Sequence, residues 1–282
     1  MPVKAVQQFM LGTVMNQEAQ ARETMEKMKA AGYEGIELCA FMIHPSGFLV
    51  KMMTKAAGMP VGNGGKLDWT RLVNESGLKV VSIHQDLGSI ERNPAAVAEE
   101  ARKFGTDRIV ITGMYRFPYG DADEVRKLSE RLNRAGTALH AEGIRLLYHN
   151  HNCEFLKNAS GKNAYQIILE ETDSSVVSFE FDSYWCAECG ENQLAVMEAL
   201  GDRMKLWHIN DRGTRQTGPC MTPIVKSDSM ELGYGAMPLE ALSGKAKELG
   251  VEAVILESHR NWVYKSPIKS MERSAAFLKE HF

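Results

Sequence analysis

Four short stretches of this chain set histidine beside carboxylate: His149-Asn-His151-Asn-Cys-Glu154, Glu180-Phe-Asp182, His208-Ile-Asn-Asp211 and Glu257-Ser-His259. Each ends an apolar run of the kind that forms a β-strand. Imidazoles and carboxylates gathered from several strand ends are the usual makings of a divalent-metal site. Mixed nitrogen and oxygen ligands suit Mn²⁺, Co²⁺, Fe²⁺ or Zn²⁺.

Side chains alternate faces along a strand, so residues two apart point the same way. Glu180 and Asp182 therefore share a face, as do His208 and Asn210, Glu257 and His259, and His149 and His151. Five of the eight histidines (His84, His149, His151, His208 and His259) fall at the ends of strand-like runs. Each taken singly reads as a hydrogen-bonded rim residue. Their joint placement with Glu154, Asp182 and Glu257 points to a site.

The elements that must position these residues alternate in strict order. Strand-like runs at 3–11, 35–39, 80–84, 108–112, 144–149, 176–182, 204–209 and 253–257 are separated by segments with helical apolar spacing. Helices are expected at 17–31, 94–104, 121–142, 163–171, 193–200, 238–249 and 267–279, with two more between the second and third strands. Eight strand-helix repeats fit a closed parallel barrel better than an open doubly wound sheet of five or six strands. A single (β/α)8 TIM barrel spanning residues 1–282 is the expected α/β fold. The first βα turn, Gly12-Thr-Val-Met-Asn-Gln, lacks a G-x-G-x-x-G pattern, and no P-loop sequence occurs, which disfavours nucleotide binding of those kinds.

The composition narrows the partners. With a formal net charge of −3 and no basic block, the chain offers no surface for duplex nucleic acid. No apolar run reaches the roughly 20 residues that span a bilayer, and the N-terminus lacks an apolar signal region, so a soluble, cytoplasmic protein acting on small molecules is expected. Five scattered cysteines do not form a disulfide framework, and reduced thiols are expected. The Cys186-Ala-Glu-Cys189 pair has no second pair to complete a zinc ribbon and reads as ordinary small residues.

Two loops exceed usual connection lengths, 44–67 and 212–237. The first holds a glycine-rich stretch from Gly58 to Gly65, the second Gly233-Tyr-Gly235. Either could close as a lid over the site. Phe48, Met52, Met53 and Met59 could line that lid or form the contact of a homo-oligomer. Arg212, Arg215, Lys226 and Arg260 could bind an anionic group of a substrate, with a solvated rim as the plainer reading.

At this point the chain resembles a known family, the xylose isomerase-like barrels, which include sugar phosphate isomerases/epimerases, ketohexose epimerases and inosose dehydratase. The markers are Gly32-Tyr-Glu-Gly-Ile-Glu37, Val81-Ser-Ile-His84, Tyr148-His-Asn-His-Asn-Cys-Glu-Phe155, Phe181-Asp-Ser-Tyr-Trp185, Trp207-His-Ile-Asn-Asp211, Leu232-Gly-Tyr-Gly235 and Ile255-Leu-Glu257. They span nearly the whole length. The resemblance implies one divalent ion, in the first instance Mn²⁺ with Co²⁺, Fe²⁺, Zn²⁺ or Mg²⁺ as alternatives, held by Glu154, Asp182, His208 and Glu257. Many relatives carry a Glu within the strand where this chain has His149, so His149 or His151 is the fourth ligand if the backbone does not turn Glu154 inward.

The chemistry the resemblance implies is proton transfer beside the carbonyl of a small keto-sugar or related polyol, through an enediolate that the metal stabilises. Glu154 and Glu257 would be base and acid, with His151 able to serve as either. His84, His149, Trp185, Asp211, Arg212 and His259 would contact substrate, Asp211 alternatively orienting His208 and Glu37 bonding at the barrel floor or rim. A non-phosphorylated substrate is favoured slightly, because no glycine-rich phosphate turn follows the seventh or eighth strand. The alternative is a lyase or dehydratase acting on a keto-inositol or 3-keto-glycoside, for which the paired His149 and His151 would supply the extra acid. The abasic-site endonucleases of the same superfamily need further ligands and phosphate-backbone affinity, neither of which this sequence offers. A sugar-binding barrel with a vestigial metal site is the non-catalytic reading.

Overall fold

The structure, a computed structural model, describes residues 1–45, 52, 63–157, 161–216 and 218–282. Seven parallel strands come first: β1 (Val3–Gln7), β2 (Gly35–Cys39), β3 (Lys79–Gln85), β4 (Arg108–Ile111), β5 (Arg145–His149), β6 (Val177–Asp182) and β7 (Met204–Ile209). A ribbon of β8 (Asp211–Thr214) and β9 (Ser227–Met230) follows, and β10 (Ala253–Leu256) is the last strand. Hydrogen bonding in the order β1-β10-β7-β6-β5-β4-β3-β2 closes the ring, so the expected (β/α)8 barrel is what the chain forms.

Period-two patterning sorts each strand into an inner and an outer face. Phe179, Phe181, Trp207, Val254 and Leu256 face outward and are buried against the helices. Ala5, Val81, Val110, Leu147, Leu206, Ala253 and Ile255 pack together as a separate cluster inside the barrel. Full burial of such a side chain contributes about 1.5–3 kcal/mol. Beneath this plug, Arg145 pairs with Glu252 at 2.8 Å and with Asp107 at 3.1 Å, and Arg108 also pairs with Glu252. The register slips by one residue where β2 meets β3, skipping Val81, and again where β6 meets β7, skipping Lys205. Such slips re-aim the side chains beyond them, here His84 and His208.

Local chemistry sets the helix ends. Asp121 accepts from the Asp123 and Glu124 amides, Asn163 and Gln166 cap each other reciprocally, and Asn93 precedes Pro94 at the first helical position. Gly32 stops Glu18–Ala31 at φ +99°, a conformation other residues resist. Among the described residues no helix is long and apolar enough to cross a membrane. All five cysteines are free, with Cys186 buried and Cys189 exposed.

Two expectations need correction. The first strand stops at Gln7 rather than 11, because the Gln7 side chain accepts the Phe9 amide at 3.1 Å and starts the 3₁₀ helix Gln8–Val14. The loop at 212–237 is not a simple flap, since it begins in the β8–β9 ribbon. Most of the 44–67 loop, including Phe48, Met53, Met59 and much of the glycine stretch, lies outside the described residues. Within it Met52 is exposed, and Gly64–Lys66 makes one 3₁₀ turn.

Asp211 fixes the second loop. Its buried carboxylate accepts four backbone N–H groups, those of Arg212 at 2.8 Å, Gly233 at 3.0 Å, Gly235 at 2.9 Å and Met237 at 3.1 Å. Gly235 is required because a Cβ there would strike the Asp211 carboxylate and come within 2.5 Å of the Arg212 carbonyl oxygen. Gly235→Ala should lower stability by about 1–3 kcal/mol, the cost of overpacking a closed site, as read by urea denaturation.

Candidate metal centre

At the carboxyl ends of the strands two sets of four side chains share His149 and His208, and within each set the ligand atoms lie within 4.8 Å of one another. The upper set adds Asp182 and Glu257, and the deeper set adds His84 and Glu180; every member is buried.

Distances separate the two sets. In the deeper set Glu180 Oε2 lies 2.9 Å from His84 Nε2, 3.0 Å from His149 Nδ1 and 3.2 Å from His208 Nε2. Glu37 Oε2 lies 2.6 Å from His208 Nε2 and 3.0 Å from His84 Nε2. Four ligands around an ion with bonds of about 2.0–2.2 Å stand about 3.3–3.6 Å apart in a tetrahedron, so these contacts are mostly too short for coordination. They are hydrogen-bond and ion-pair distances. In the upper set His208 Nδ1 lies 3.0 Å from Glu257 Oε2 and 3.9 Å from Asp182 Oδ2, which brackets the coordination spacing.

Charge tells the same story. Burial disfavours a charged His84, but Glu37 and Glu180 outweigh it and carry its pKa up to about 10. His208 is likewise pulled up against burial by Glu180, Glu37 and Glu257. Glu180, opposed by burial, is held well below the carboxylate range by His208 and His84. Two imidazolium rings beside buried carboxylates make the deeper layer compensate itself. In the upper layer Glu257, opposed by burial, is held well below the carboxylate range by His259 and His208, and Asp182 is the exception. Burial, and then repulsion from Glu257, push Asp182 from its ordinary 3.8 up to about 7. Burial lowers His149 to about 3, so it stays a neutral imidazole, with its Nδ1 3.0 Å from Glu180 Oε2. A neutral imidazole steadied from behind by Glu180, beside the Asp182 and Glu257 carboxylates, fits a divalent cation.

Local structure explains how these four side chains meet. Asp182 caps the helix Ser183–Glu188 by accepting the Trp185 amide through Oδ1 at 2.9 Å, which leaves Oδ2 for the site. Asn150, fully buried, donates to the Asp182 carbonyl at 3.0 Å and accepts the Asp182 amide at 2.9 Å, tying the end of β5 to the end of β6. Glu257 follows β10 and also holds His259 Nε2 at 2.8 Å.

Because Asp182 is protonated up to about pH 7, cation uptake below that pH must displace a proton. His208, raised against burial by its carboxylates, must give up a proton as well, so affinity for Mn²⁺ or Zn²⁺ should fall by about tenfold or more per unit as pH drops below 7, measured by calorimetry in buffers of different ionisation enthalpy. The sign for stability is opposite. A carboxyl raised above its unfolded value favours the folded metal-free chain at acid pH, and that contribution is lost as pH rises from 3.8 towards 7.

Other expected residues lie elsewhere. Glu154 belongs to neither set. Its Oε1 accepts the Tyr148 hydroxyl at 2.9 Å, and its Oε2 accepts the His151 amide at 3.0 Å and the Cys153 thiol at 3.1 Å. The short helix Cys153–Phe155 turns it towards this pocket, and His149 takes the place beside Asp182, His208 and Glu257. The Asp211 carboxylate is engaged by four backbone amides. Arg215 pairs with Glu231, and Arg260 with Asp228. Lys226 is exposed, and Arg212 is half-buried with no partner for its Nε.

A cavity of about 760 Å³ meets the deeper set at His84, and His149, Asp182, His208 and Glu257 are not among the described residues that line it. His84, His151 and His259 line it together with Phe9, Phe41 and Met114. Trp185 stands between the rings of His151, at 6.0 Å, and His259, at 6.2 Å. Arg212, Arg215, Lys226 and Arg260 are not among the described residues that line it. Sequence reasoning placed Glu180 on the Asp182 face without assigning it a role, and it passed over Asn150. Parity was the available signal for Glu180, since an inward residue two before Asp182 lies one layer deeper.

Known proteins share both the architecture and parts of the sequence. The chain is 24% identical over 139 residues to an inosose dehydratase of Clostridium beijerinckii, a match covering 49% of this chain and 41% of that protein. It thus spans less than half the length of that curated relative. A solved sugar phosphate isomerase/epimerase of Parabacteroides distasonis superposes with a TM-score of 0.74 at 21% identity, over 99% of this chain and 94% of the other. The IolI protein, solved with a zinc atom, gives a TM-score of 0.67 at 16% identity over 99% of each chain. These two likenesses are of fold. The model of the xylose isomerase-like TIM barrel family matches residues 25–281, and the chain belongs to that family.

Proposed function

We propose that this protein is a divalent-metal-dependent isomerase or epimerase that moves a proton beside the carbonyl of a small keto-sugar or related polyol. One observation carries the reading: His149, Asp182, His208 and Glu257 are buried together with their ligand atoms within 4.8 Å of one another, and burial and then Glu257 push Asp182 up to about 7. His149, Asp182, His208 and Glu257 would hold the ion, of which the solved IolI protein's zinc is one precedent. When bound, such an ion supplies electrostatic stabilisation of the negative charge that grows on the substrate oxygens.

The chain's own residues do the rest. His151 lines the cavity and burial lowers its pKa, so it stands there as a neutral base. Glu257 stands opposite as the second proton-handling group, its Oε1 bonded to His259. Glu154 holds the His151 backbone, and through that contact it fixes where the imidazole stands. His84 and His259 offer hydrogen bonds to hydroxyls, and Trp185 offers a flat face to a sugar ring.

Elimination from the same site is the second reading, a lyase or dehydratase acting on a keto-inositol or 3-keto-glycoside. The matched relative named inosose dehydratase favours it, as does a cavity of about 760 Å³, roomier than one sugar ring needs. Incubation of the Mn²⁺-loaded protein in D₂O with keto-sugars, keto-inositols and 3-keto-glycosides tests both. Deuterium beside the carbonyl with the carbon skeleton intact supports the isomerase or epimerase, and an unsaturated product supports the lyase. No exchange with any of the three classes would sink both.

A further inference from the structure

Glu180 is a carboxylate with no evident task. It is fully buried, and its Oε1 has no hydrogen-bond partner among the described residues. Among the described residues the polar contacts of its Oε2 go to imidazole: 2.9 Å to His84 Nε2, 3.0 Å to His149 Nδ1 and 3.2 Å to His208 Nε2. Glu37 reinforces it from β2, at 2.6 Å from His208 Nε2 and 3.0 Å from His84 Nε2, and is itself held by the Ser82 hydroxyl. Leaving a buried carboxylate oxygen unpaired costs stability, a cost that the imidazole contacts of the other oxygen must offset.

We propose that Glu180, with Glu37, is a positioning residue for the metal centre: it grips the far sides of the imidazole ligands and so aims them at the ion. A ring with one nitrogen held by a carboxylate has its tautomer and its direction fixed. For His208 the consequence is geometric. With Nε2 occupied by Glu37 and Glu180, Nδ1 is the nitrogen left to face Glu257 and Asp182. His84 is caught in the same grip and is presented to the cavity wall in one orientation. This rests on the cation site put forward under Proposed function, and it assigns Glu180 and Glu37 no contact with substrate.

The test is Co²⁺ binding to the metal-free protein, read by calorimetry and by the visible absorption of the bound ion, which reports the geometry of its ligands. Glu180→Gln should weaken Co²⁺ binding about 10–100-fold and shift the absorption spectrum. Glu37→Gln, should the first variant not fold, acts on the same His208 nitrogen and should do likewise. Glu252→Gln, at the opposite end of the barrel, controls for destabilisation alone and should leave both readings unchanged. Affinity within twofold of wild type and an unshifted spectrum in folded Glu180→Gln or Glu37→Gln would overturn the inference while leaving the metal site standing. Failure of the wild-type protein to take up Co²⁺ would overturn both.

Discussion

Stripping divalent ions with a chelator should reduce turnover of any accepted substrate by about 10³-fold or more, and adding Mn²⁺, Co²⁺ or Zn²⁺ should restore it. The size follows from the charge that must be stabilised. A cation at a developing oxyanion contributes several kcal/mol, and each 1.36 kcal/mol is a factor of ten in rate. Protein groups cannot substitute, because the nearest cationic ring, His208, is already engaged by Glu37, Glu180 and Glu257. His84 is engaged by Glu37 and Glu180 in the same way. Activity that survives exhaustive chelation, with metal content checked by elemental analysis, would remove the ion from the mechanism.

His208→Ala should be the most damaging single change to the metal-free fold. It removes the ring that lies within 3.2 Å of three buried carboxylates, Glu37, Glu180 and Glu257. Breaking a buried pair by deleting one partner costs about 3–5 kcal/mol, because the remaining charge stays desolvated. His84 still shields Glu37 and Glu180, and His259 still shields Glu257, which keeps the loss within that range rather than multiplying it. Guanidinium unfolding of the metal-free variant and wild type measures the difference. A change under about 1 kcal/mol would show that the layer is hydrated rather than closed.

The barrel itself was largely legible in the sequence. Alternating apolar runs and amphipathic segments fall where the eight barrel strands lie, because the same periodicities that mark them in sequence bury them in space. Boundaries were less so: the strand expected to reach Leu11 turns at Gln7 through one side-chain hydrogen bond. The β8–β9 ribbon was hidden for a related reason. Its strands, four residues each, carry too little apolar patterning to announce themselves, and Asp211 holds the loop by contacts that no spacing encodes.

Parity within strands brought Asp182, His208 and Glu257 to one place on paper, since alternation along a strand is a fixed geometric rule. It could not decide between Glu154 and His149. That choice turns on a three-residue helix, Cys153–Phe155, whose direction depends on the Tyr148 hydroxyl waiting to receive the carboxylate.

The four side chains of the upper set sit on strand ends or, for Glu257, one residue past one, whereas most of the cavity wall comes from the connecting segments. Inheritance can therefore treat them separately. Replacement of the connecting segments can give descendants of this chain new preferences among sugars while the reactive heart passes on unaltered, so that kinship is better traced through the strand tips than through what each descendant consumes.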